Sequence, residues 1–499
     1  MSKNELTLGI DLGTQSTKVL VYDPEQKIIL DTTQTAHDII QRSDGTSEQD
    51  AGWWISAVSD CLSRLDPGLK QCVCAIGVSG QQHGLVPVDV EGRVVYRVKL
   101  WNDTTTQDEC NSITEAFGGR ERLIAEVGNP ILAGYTAPKV LWLKRHAPDA
   151  YAAMAHILLP HDYLNYFLTG VYAAEAGDAS GTGFLDIRQR KWSKAVLCAI
   201  DKGRNLLDCL APLVEPQAAC GQISARAAEL LGLPGHAWVA AGGGDNMMAA
   251  IGTGCASAGA FTASLGTSGT LYGYSEGPVI DTDGLVAAFC SSTGGWLPLV
   301  CTMNCTVATE LNRLLFDLPL SEIDRLSAAV PVGADGLITL PYYNGERTPN
   351  FPRASGCIFG ITPRNYTRAH LVRSAMEAAV FALRYGQDAF CNLGLAPTSI
   401  RLTGGGAKSR VWRQMMADVF GRKVICPLVE ETAAFGAALQ AWWMFQGRRG
   451  QTQPIDELVA EHVPSDGVDL LPNPDNRERY ETVYREYLEV MELLKPKFV

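Results

Sequence analysis

The sequence contains the same six-residue pattern twice, as LGTQST at Leu12–Thr17 and as LGTSGT at Leu265–Thr270. Residues typical of β-strands flank both copies, so each pattern is predicted to form the turn of a hairpin. The two copies lie about half of the 499-residue chain apart. A repeat on this scale predicts two similar domains rather than a solenoid, whose period is far shorter.

The residues of the first turn suit the binding of phosphate. Gly13 lets the backbone approach a ligand closely, and the Thr and Ser hydroxyls and backbone N–H groups can donate to phosphate oxygens. Asp11 stands where the first strand ends, and it is placed to hold a magnesium ion, which prefers oxygen ligands. A polar hairpin without a ligand is the alternative for one copy alone. Two such hairpins facing each other across a cleft resemble the actin, hexokinase and Hsp70 ATPase superfamily, which favours nucleotide binding.

Composition argues against several other classes of protein. The formal net charge of −12 and the lack of a long Lys/Arg run disfavour a nucleic-acid partner. The 14 cysteines are scattered without a Cys-x-x-Cys pair, which disfavours zinc and favours free thiols in a reducing compartment. Met1–Glu5 is polar, unlike a signal peptide, and the charge-free stretch Asn246–Ser275 is too rich in Gly, Ser and Thr for a membrane helix. We therefore expect a cytoplasmic protein with no membrane partner.

The order of elements after the first hairpin predicts the fold class. Lys27–Thr32 is a third strand, Asp50–Leu65 has the apolar spacing of a helix, and Cys72–Val78 reads as a buried strand. This β-β-β-α-β order is that of a ribonuclease-H-like domain. The expected architecture is α/β, with two such domains on either side of a catalytic cleft.

Polar residues that follow the predicted strands are candidates for a sugar site, because ligands gather at the carboxyl ends of strands in α/β sheets. Gln82 and His83 each offer a donor and an acceptor, which suits hydroxyl groups. The alternative for His83 is a loop residue satisfied by backbone groups. Trp101 and Asp103 add an aromatic face and a carboxylate, although a Trp is more often a core residue.

A third candidate segment is Gly242–Asn246, which follows the predicted strand Trp238–Ala241. Three glycines before Asp245 predict a flexible loop that brings an acid close to a ligand. The chain lacks both the G-x-G-x-x-G context of a Rossmann fold and a G-x-x-x-x-G-K-[ST] P-loop. Residues 104–234 are predicted to be an insertion of mostly helical elements whose chemistry the residues do not reveal.

The second half of the chain contains another glycine-rich turn that follows a predicted strand. Ser399–Thr403 is a predicted strand that opens into Gly404–Ser409, before a helix. Backbone N–H groups there, and the start of that helix, can meet a nucleotide. A tight strand-to-helix turn without a ligand is the alternative.

The order and spacing of these pieces closely resemble the FGGY carbohydrate kinases over essentially the whole chain. The resemblance rests on segments in both halves: Gly9–Lys18 (GIDLGTQSTK), Gly77–Gly84 (GVSGQQHG), Leu100–Asp103 (LWND), Tyr135–Trp142 (YTAPKVLW), Leu159–Leu164 (LPHDYL), Gly242–Asn246 (GGGDN), Ser264–Thr270 (SLGTSGT), Gly345–Pro349 (GERTP) and Leu402–Asp418 (LTGGGAKSRVWRQMMAD).

This resemblance implies an enzyme that transfers the γ-phosphate of ATP, with Mg²⁺, to the terminal hydroxyl of D-xylulose. Another ketopentose, a polyol or glycerol is the alternative substrate, and a non-catalytic nucleotide switch is the alternative from another class. The resemblance also implies an N-terminal, sugar-binding domain at residues 1–252 and a C-terminal, nucleotide-binding domain at residues 253–499. A homodimer is expected from the habit of the family alone.

The resemblance also assigns roles to residues. Asp245 matches the catalytic base, and Asp11 matches the carboxylate of the magnesium–nucleotide centre, with both as candidate metal ligands. An Asp with an ordinary pKa is a weak base at neutral pH. The expected sugar-binding residues are Gln82, His83, Trp101, Asp103, Asp245 and Asn246, where Gln82 replaces a Met often found in bacterial members. The expected nucleotide-binding residues are Gly13, Thr14, Gln15, Ser16, Lys18, Gly266, Thr267, Gly404, Gly405, Gly406 and Ser409.

Overall fold

Both LGTxxT segments form the turns of antiparallel hairpins in the structure, a computed structural model that describes residues 5–451, 453–465 and 467–498. The strands as far as residue 244 are β1 (Leu6–Leu12), β2 (Ser16–Asp23), β3 (Ile28–Ala36), β4 (Ile40–Gln41), β5 (Ser47–Gln49), β6 (Val73–Gly80), β7 (Val86–Val88), β8 (Val98–Lys99), β9 (His156–Leu158), β10 (Ala174–Glu175), β11 (Leu185–Asp186), β12 (Lys191–Trp192), β13 (Leu213–Val214), β14 (Ala219–Gln222), β15 (Trp238–Ala240) and β16 (Gly243–Gly244).

The strands of the second half are β17 (Ala260–Leu265), β18 (Gly269–Gly273), β19 (Leu299–Thr302), β20 (Ile338–Leu340), β21 (Cys357–Phe359), β22 (Ser399–Thr403) and β23 (Lys423–Ile425). The first large sheet has the order β3-β2-β1-β6-β15-β14, and the second has the order β19-β18-β17-β22-β23. In each sheet a meander of three antiparallel strands is followed by a strand that returns parallel to the first. This shared topology confirms the predicted pair of ribonuclease-H-like units.

Helices cover and connect the two sheets. They are α1 (Ala51–Ser63), α2 (Pro67–Gln71), α3 (Gln107–Phe117), α4 (Arg120–Val127), α5 (Thr136–His146), α6 (Pro148–Ala153), α7 (Pro160–Thr169), α8 (Ala176–Ala179), α9 (Lys194–Ile200), α10 (Ala225–Leu231), α11 (Asp245–Thr253), α12 (Thr306–Leu315), α13 (Leu320–Ala328), α14 (Arg368–Asn392), α15 (Arg410–Phe420), α16 (Thr432–Arg448), α17 (Ile455–His462) and α18 (Pro474–Phe498). Short 3-10 turns lie at Ser180–Thr182, Leu206–Cys209, Ala334–Gly336 and Gly405–Lys408.

Local sequence signals account for the ends of several helices. Asp50 accepts a hydrogen bond from Gly52 N at 2.8 Å and caps α1, and Thr367 caps α14 by accepting from His370 N. The buried face of α14 is rich in Ala, which lets this helix pack closely in the core of the second domain. The predicted helix Thr136–His146 coincides with α5.

Helices α11 and α16 form the junction of the two halves. They cross so closely that a Cβ at Gly252 would overlap the carbonyl oxygen of Thr432, and a Cβ at Gly436 would overlap that of Met248. Although α16 follows the second sheet in sequence, it packs on strands β1 and β6 of the first sheet. Glycines therefore let the backbones of these two helices approach each other closely at the junction.

Two further expectations bear on the class of protein. The cysteines of the described chain are free thiols, as expected from their scattered positions. Within residues 5–451, 453–465 and 467–498, no helix is both long enough and apolar enough to cross a membrane.

Candidate active site

A cavity of about 240 Å³ lies where the carboxyl ends of the two sheets face each other. Seven of the residues expected from the sequence line it: Thr14, Gln82, His83, Trp101, Asp245, Asn246 and Gly266. The sequence analysis did not single out the other lining residues, Ser264, Ser268, Thr270, Phe289, Leu299, Cys301 and Arg347. Because these seven come from the second half of the chain, both domains build the cavity.

The segment that carries Asp245 is fixed by the sheet and the following helix. Gly243 and Gly244 pair with Ser79 and Gly80 as strand β16, and Asp245 is the first residue of α11. The expectation of a flexible glycine loop is therefore wrong. The glycines instead permit close packing, since a Cβ at Gly244 would lie 2.7 Å from Gln82 Cγ.

A chain of hydrogen bonds links the carboxylate of Asp245 to Gln82. Asn246 Nδ2 donates to Asp245 Oδ1 at 3.1 Å and to Gln82 Oε1 at 2.9 Å. Gln82 Nε2 lies 3.3 Å from Met247 Sδ. The amide groups of both residues are thereby oriented beside the carboxylate, at the cavity wall.

The two predicted catalytic carboxylates influence each other. Burial raises the pKa of Asp245 to about 8, and the negative charges of Asp11 and Asp178 add to the rise. Burial also raises the pKa of Asp11, against the effect of a hydrogen bond of 2.7 Å from Ser79 Oγ and the charge of Lys18. With this raised pKa, the ionised carboxylate of Asp245 is a stronger base than the ordinary Asp considered in the sequence analysis.

His83 is held in an unusual backbone conformation beside aromatic rings. Its φ of 66° is left-handed, and its carbonyl accepts from Lys139 Nζ at 2.8 Å and Thr136 Oγ1 at 3.1 Å. The ring centroid lies 4.9 Å from that of Tyr135 and 5.8 Å from that of Phe289. Burial and the positive charges of Lys139 and Arg347 lower its pKa well below the usual range, so the imidazole is neutral and has one donor and one acceptor.

The Leu100–Asp103 segment contributes Trp101 to the cavity but not Asp103. Trp101 Nε1 donates to Thr14 Oγ1 at 3.0 Å. The Asp103 carboxylate is fully buried, where it accepts from Ser47 N at 2.9 Å and Lys99 Nζ at 3.0 Å. We therefore correct the expectation for Asp103: the structure places it behind the wall, where it anchors the segment that carries Trp101.

A buried acidic cluster behind the cavity comes from the helical insertion. His161 Nδ1 lies 2.6 Å from Asp178 Oδ2, and His161 Nε2 lies 3.1 Å from Asp162 Oδ1. Burial raises the pKa of Asp178 well above its usual value and that of Asp162 to about 7. The sequence analysis missed these residues, although two of them lie in the LPHDYL segment.

Seven of the predicted nucleotide-binding residues line two further cavities. A largely apolar cavity of about 770 Å³ is lined by Gly266 and Thr267, by α12 and α13, and by Gly405, Gly406 and Ser409. Gly404 lies beside it in a polar cavity of about 410 Å³ that also contains Lys18. Two of these residues also meet protein groups: Ser409 Oγ donates to Asp324 and caps α15, and Lys18 pairs with Glu431.

Three candidates of the first hairpin line none of these cavities. Gly13 N donates to the carbonyl of Ser16 at 3.0 Å, Ser16 Oγ accepts from Gln34, and the exposed Gln15 accepts from His37 N through its carbonyl.

Comparisons with known proteins agree with this architecture. The N-terminal domain of the FGGY family of carbohydrate kinases matches residues 6–252, and its C-terminal domain matches residues 261–445. The chain belongs to this family, so it is a carbohydrate kinase, with ATP as the family's phosphoryl donor.

The chain is similar in sequence to proteins named xylulose kinase. It is 41% identical to that of Haemophilus influenzae over 96% of this chain and 98% of the relative. It is 34% identical to that of Escherichia coli over 97% and 99%. The crystal structure of a xylulose kinase from Rhodospirillum rubrum, at 27% identity, superposes with a TM-score of 0.89 over 99% of this chain and all of that chain. These similarities confirm the predicted fold class.

Proposed function

We propose that the protein transfers the γ-phosphoryl group of ATP to the terminal hydroxyl of D-xylulose and forms D-xylulose 5-phosphate. The observation that carries the proposal is the cavity itself. It brings the residues of both phosphate hairpins together with Gln82, His83 and the carboxylate of Asp245. The names of relatives that match this chain almost end to end, at up to 41% identity, support D-xylulose as the sugar.

Asp245 acts in this proposal as the general base. It orients the hydroxyl on C5 of the sugar and takes its proton while the bond from O5 to phosphorus forms and the bond from phosphorus to the ADP oxygen breaks. Burial raises the pKa of this carboxyl group above its ordinary value, so the ionised carboxylate accepts a proton more readily than an ordinary one. Gln82, His83, Trp101 and Asn246 bind and orient the sugar.

Asp11 and Asp245 are the residues that would hold Mg²⁺. The charge of Asp11 contributes to the raised pKa of Asp245, so a cation bound close to both carboxyl groups would lower the cost of ionising them. No group of three or more ligating side chains occurs among the described residues. Such a group is not needed, since Mg²⁺ is commonly held by one or two carboxylates together with phosphates and water. When bound, the ion would neutralise charge on the phosphates.

The nucleotide is proposed to lie across the cleft. Its phosphates would meet backbone N–H groups and hydroxyls of Gly13–Ser16 on one side and of Gly266 and Thr267 on the other. The apolar cavity beside Gly405, Gly406 and Ser409 has the size and character expected for an adenosine site. Lys18 would contribute positive charge from the neighbouring polar cavity.

The proposed domain division at residues 252 and 253 assigns sugar binding mainly to the first part and nucleotide binding to the second. The second part nevertheless supplies eight of the 14 residues that line the cavity, so the site does not follow this division of the chain. A homodimer remains a proposal from family habit, which light scattering after size exclusion would test.

A coupled ADP-release assay over a panel of ketoses, polyols and glycerol tests the substrate. We expect the highest kcat/KM for D-xylulose, with ATP hydrolysis in the absence of sugar as the background. A higher kcat/KM for another ketopentose, a polyol or glycerol would reject D-xylulose and keep the kinase. ATP binding without phosphoryl transfer to any of them would favour the nucleotide switch instead.

A further inference from the structure

Arg347 reaches the sugar cavity from the second half of the chain, although the first half supplies the expected sugar-binding residues. It is half-buried, and among the described residues that line the cavity it is the one with a positive charge. Its backbone is fixed by Glu346, whose Oε1 accepts from Arg347 N at 2.7 Å and from Met303 N at 2.6 Å. The backbone from which the Arg347 side chain extends is therefore held in place by Glu346.

The surroundings of Arg347 include the buried hydroxyl of Tyr135. Tyr135 is 1% exposed. Burial raises the pKa of its hydroxyl, while the charge of Arg347 and a hydrogen bond with its side chain lower the pKa. Because the Tyr135 ring lies 4.9 Å from that of His83, between ring centroids, the Arg347 guanidinium lies on the same side of the cavity as His83.

Two cationic side chains lie near His83. Lys139 Nζ is occupied by the carbonyls of His83 and Gly134, at 2.8 and 2.7 Å. Arg347, in contrast, lines the cavity together with His83 and Asp245. The Arg347 guanidinium is thus the charged donor group that the cavity offers to a ligand.

The chemistry of the proposed substrate gives the Arg347 guanidinium a specific partner. A 2-ketopentose closes its ring through O5, so a sugar whose O5 accepts the phosphoryl group must be in the open-chain form. Its C2 carbonyl is then free and lies three carbons along the chain from C5. With O5 at Asp245, the carbonyl lies in the same cavity as the Arg347 guanidinium.

We propose that Arg347 is a specificity-determining residue that donates a charge-assisted hydrogen bond to the C2 carbonyl of the open-chain ketose and distinguishes ketoses from polyols. This inference rests on the proposed function. A guanidinium is well suited to the task, since hydrogen bonds from charged donors are stronger than neutral ones and carbonyl oxygens accept them readily. Because Arg347 belongs to the second half of the chain, sugar binding also joins the two domains across the cleft.

The test compares D-xylulose with D-arabinitol and xylitol, the two alcohols that form when its C2 carbonyl is reduced. Affinities of the full chain and of Arg347→Met are measured by calorimetry, and kcat and KM are measured with ATP. The matched control is Arg353→Met, an exposed arginine in the same segment. We expect Arg347→Met to weaken D-xylulose binding about 10- to 100-fold, the range of a lost charge-assisted hydrogen bond, with under threefold change for the alcohols and for ATP.

Equal losses for the ketose and the alcohols would overturn the proposal, because Arg347 would then be a general part of the wall. Weaker ATP binding with unchanged sugar binding would also overturn it and would assign Arg347 to the phosphates. If Arg347→Met fails to fold, Arg347→Lys decides: a ketose preference at least threefold lower supports the proposal, and an unchanged preference contradicts it. A parent protein that phosphorylates no ketose would overturn the proposed function and this inference together, whereas a parent active on D-xylulose isolates the role of Arg347.

Discussion

Trp101 Nε1 donates a hydrogen bond of 3.0 Å to Thr14 Oγ1, so a side chain in the wall of the sugar cavity also holds the first phosphate hairpin. The proposed sugar and nucleotide sites therefore share a structural element. The backbone carbonyl of His83, by contrast, accepts hydrogen bonds from Lys139 and Thr136 in the insertion.

Trp101→Phe removes the hydrogen bond and keeps most of the aromatic surface. We expect KM to rise for both ATP and sugar, by about 2- to 10-fold, the range of one neutral hydrogen bond. The control is Trp53→Phe, a half-buried Trp of α1 outside the cavity. An effect of Trp101→Phe on the sugar alone would show that the contact to Thr14 does not position the hairpin.

His83→Ala should raise the sugar KM and leave the ATP KM nearly unchanged.

Gly405 allows the nucleotide site to be filled without backbone strain. A Cβ at this position meets no atom within 4 Å, whereas one at Gly404, with φ of 87°, would lie 2.7 Å from the carbonyl oxygen of Leu265. Gly405→Leu should therefore fold normally, occupy the adenosine cavity and weaken ATP binding at least 10-fold, with sugar binding retained. Gly235→Leu, at an exposed and equally open position, is the control. Unchanged ATP affinity in folded Gly405→Leu would remove this turn from the nucleotide site.

The raised pKa of Asp245 predicts a pH-dependent cost in stability. Between the ordinary carboxyl pKa of 3.8 and about 8, the folded protein binds a proton that the unfolded chain has released, so stability falls as pH rises through this window. Asp245→Asn removes the titrating group, and its Tm should exceed that of the parent by a few degrees at pH 8, with the difference shrinking toward pH 4. The melting curves are recorded with a chelator, and exposed Glu229→Gln is the control. A difference in Tm that does not change with pH would contradict the assignment.

The fold was largely predictable because its signals are local. The alternation of apolar residues before Asp11, the Thr367 cap and the apolar run Val73–Val78 each specify an element without help from distant residues. The repeated LGTxxT turns then indicate two related sheets, and both sheets have the expected strand order.

The site was predictable where its residues directly follow strands, as Gln82 follows β6 in the first domain and Gly266 follows β17 in the second. Arg347 enters the cavity from a segment more than a hundred residues beyond Asp245, and no local pattern indicates that direction. Asp103 was misassigned because its buried partners, Ser47 and Lys99, come from separate strands. The Gly243–Gly244 segment was expected to be flexible because its pairing with β6 is a tertiary contact that composition does not reveal.

The most direct test of the account is the turnover of Asp245→Ala, measured together with the affinities for ATP and D-xylulose. If Asp245 orients the sugar hydroxyl and accepts its proton, kcat should fall by about 10²- to 10⁴-fold, while both ligands still bind through their other contacts. Turnover within a few fold of the parent would contradict the account, since the cavity would then transfer the phosphoryl group without this carboxylate.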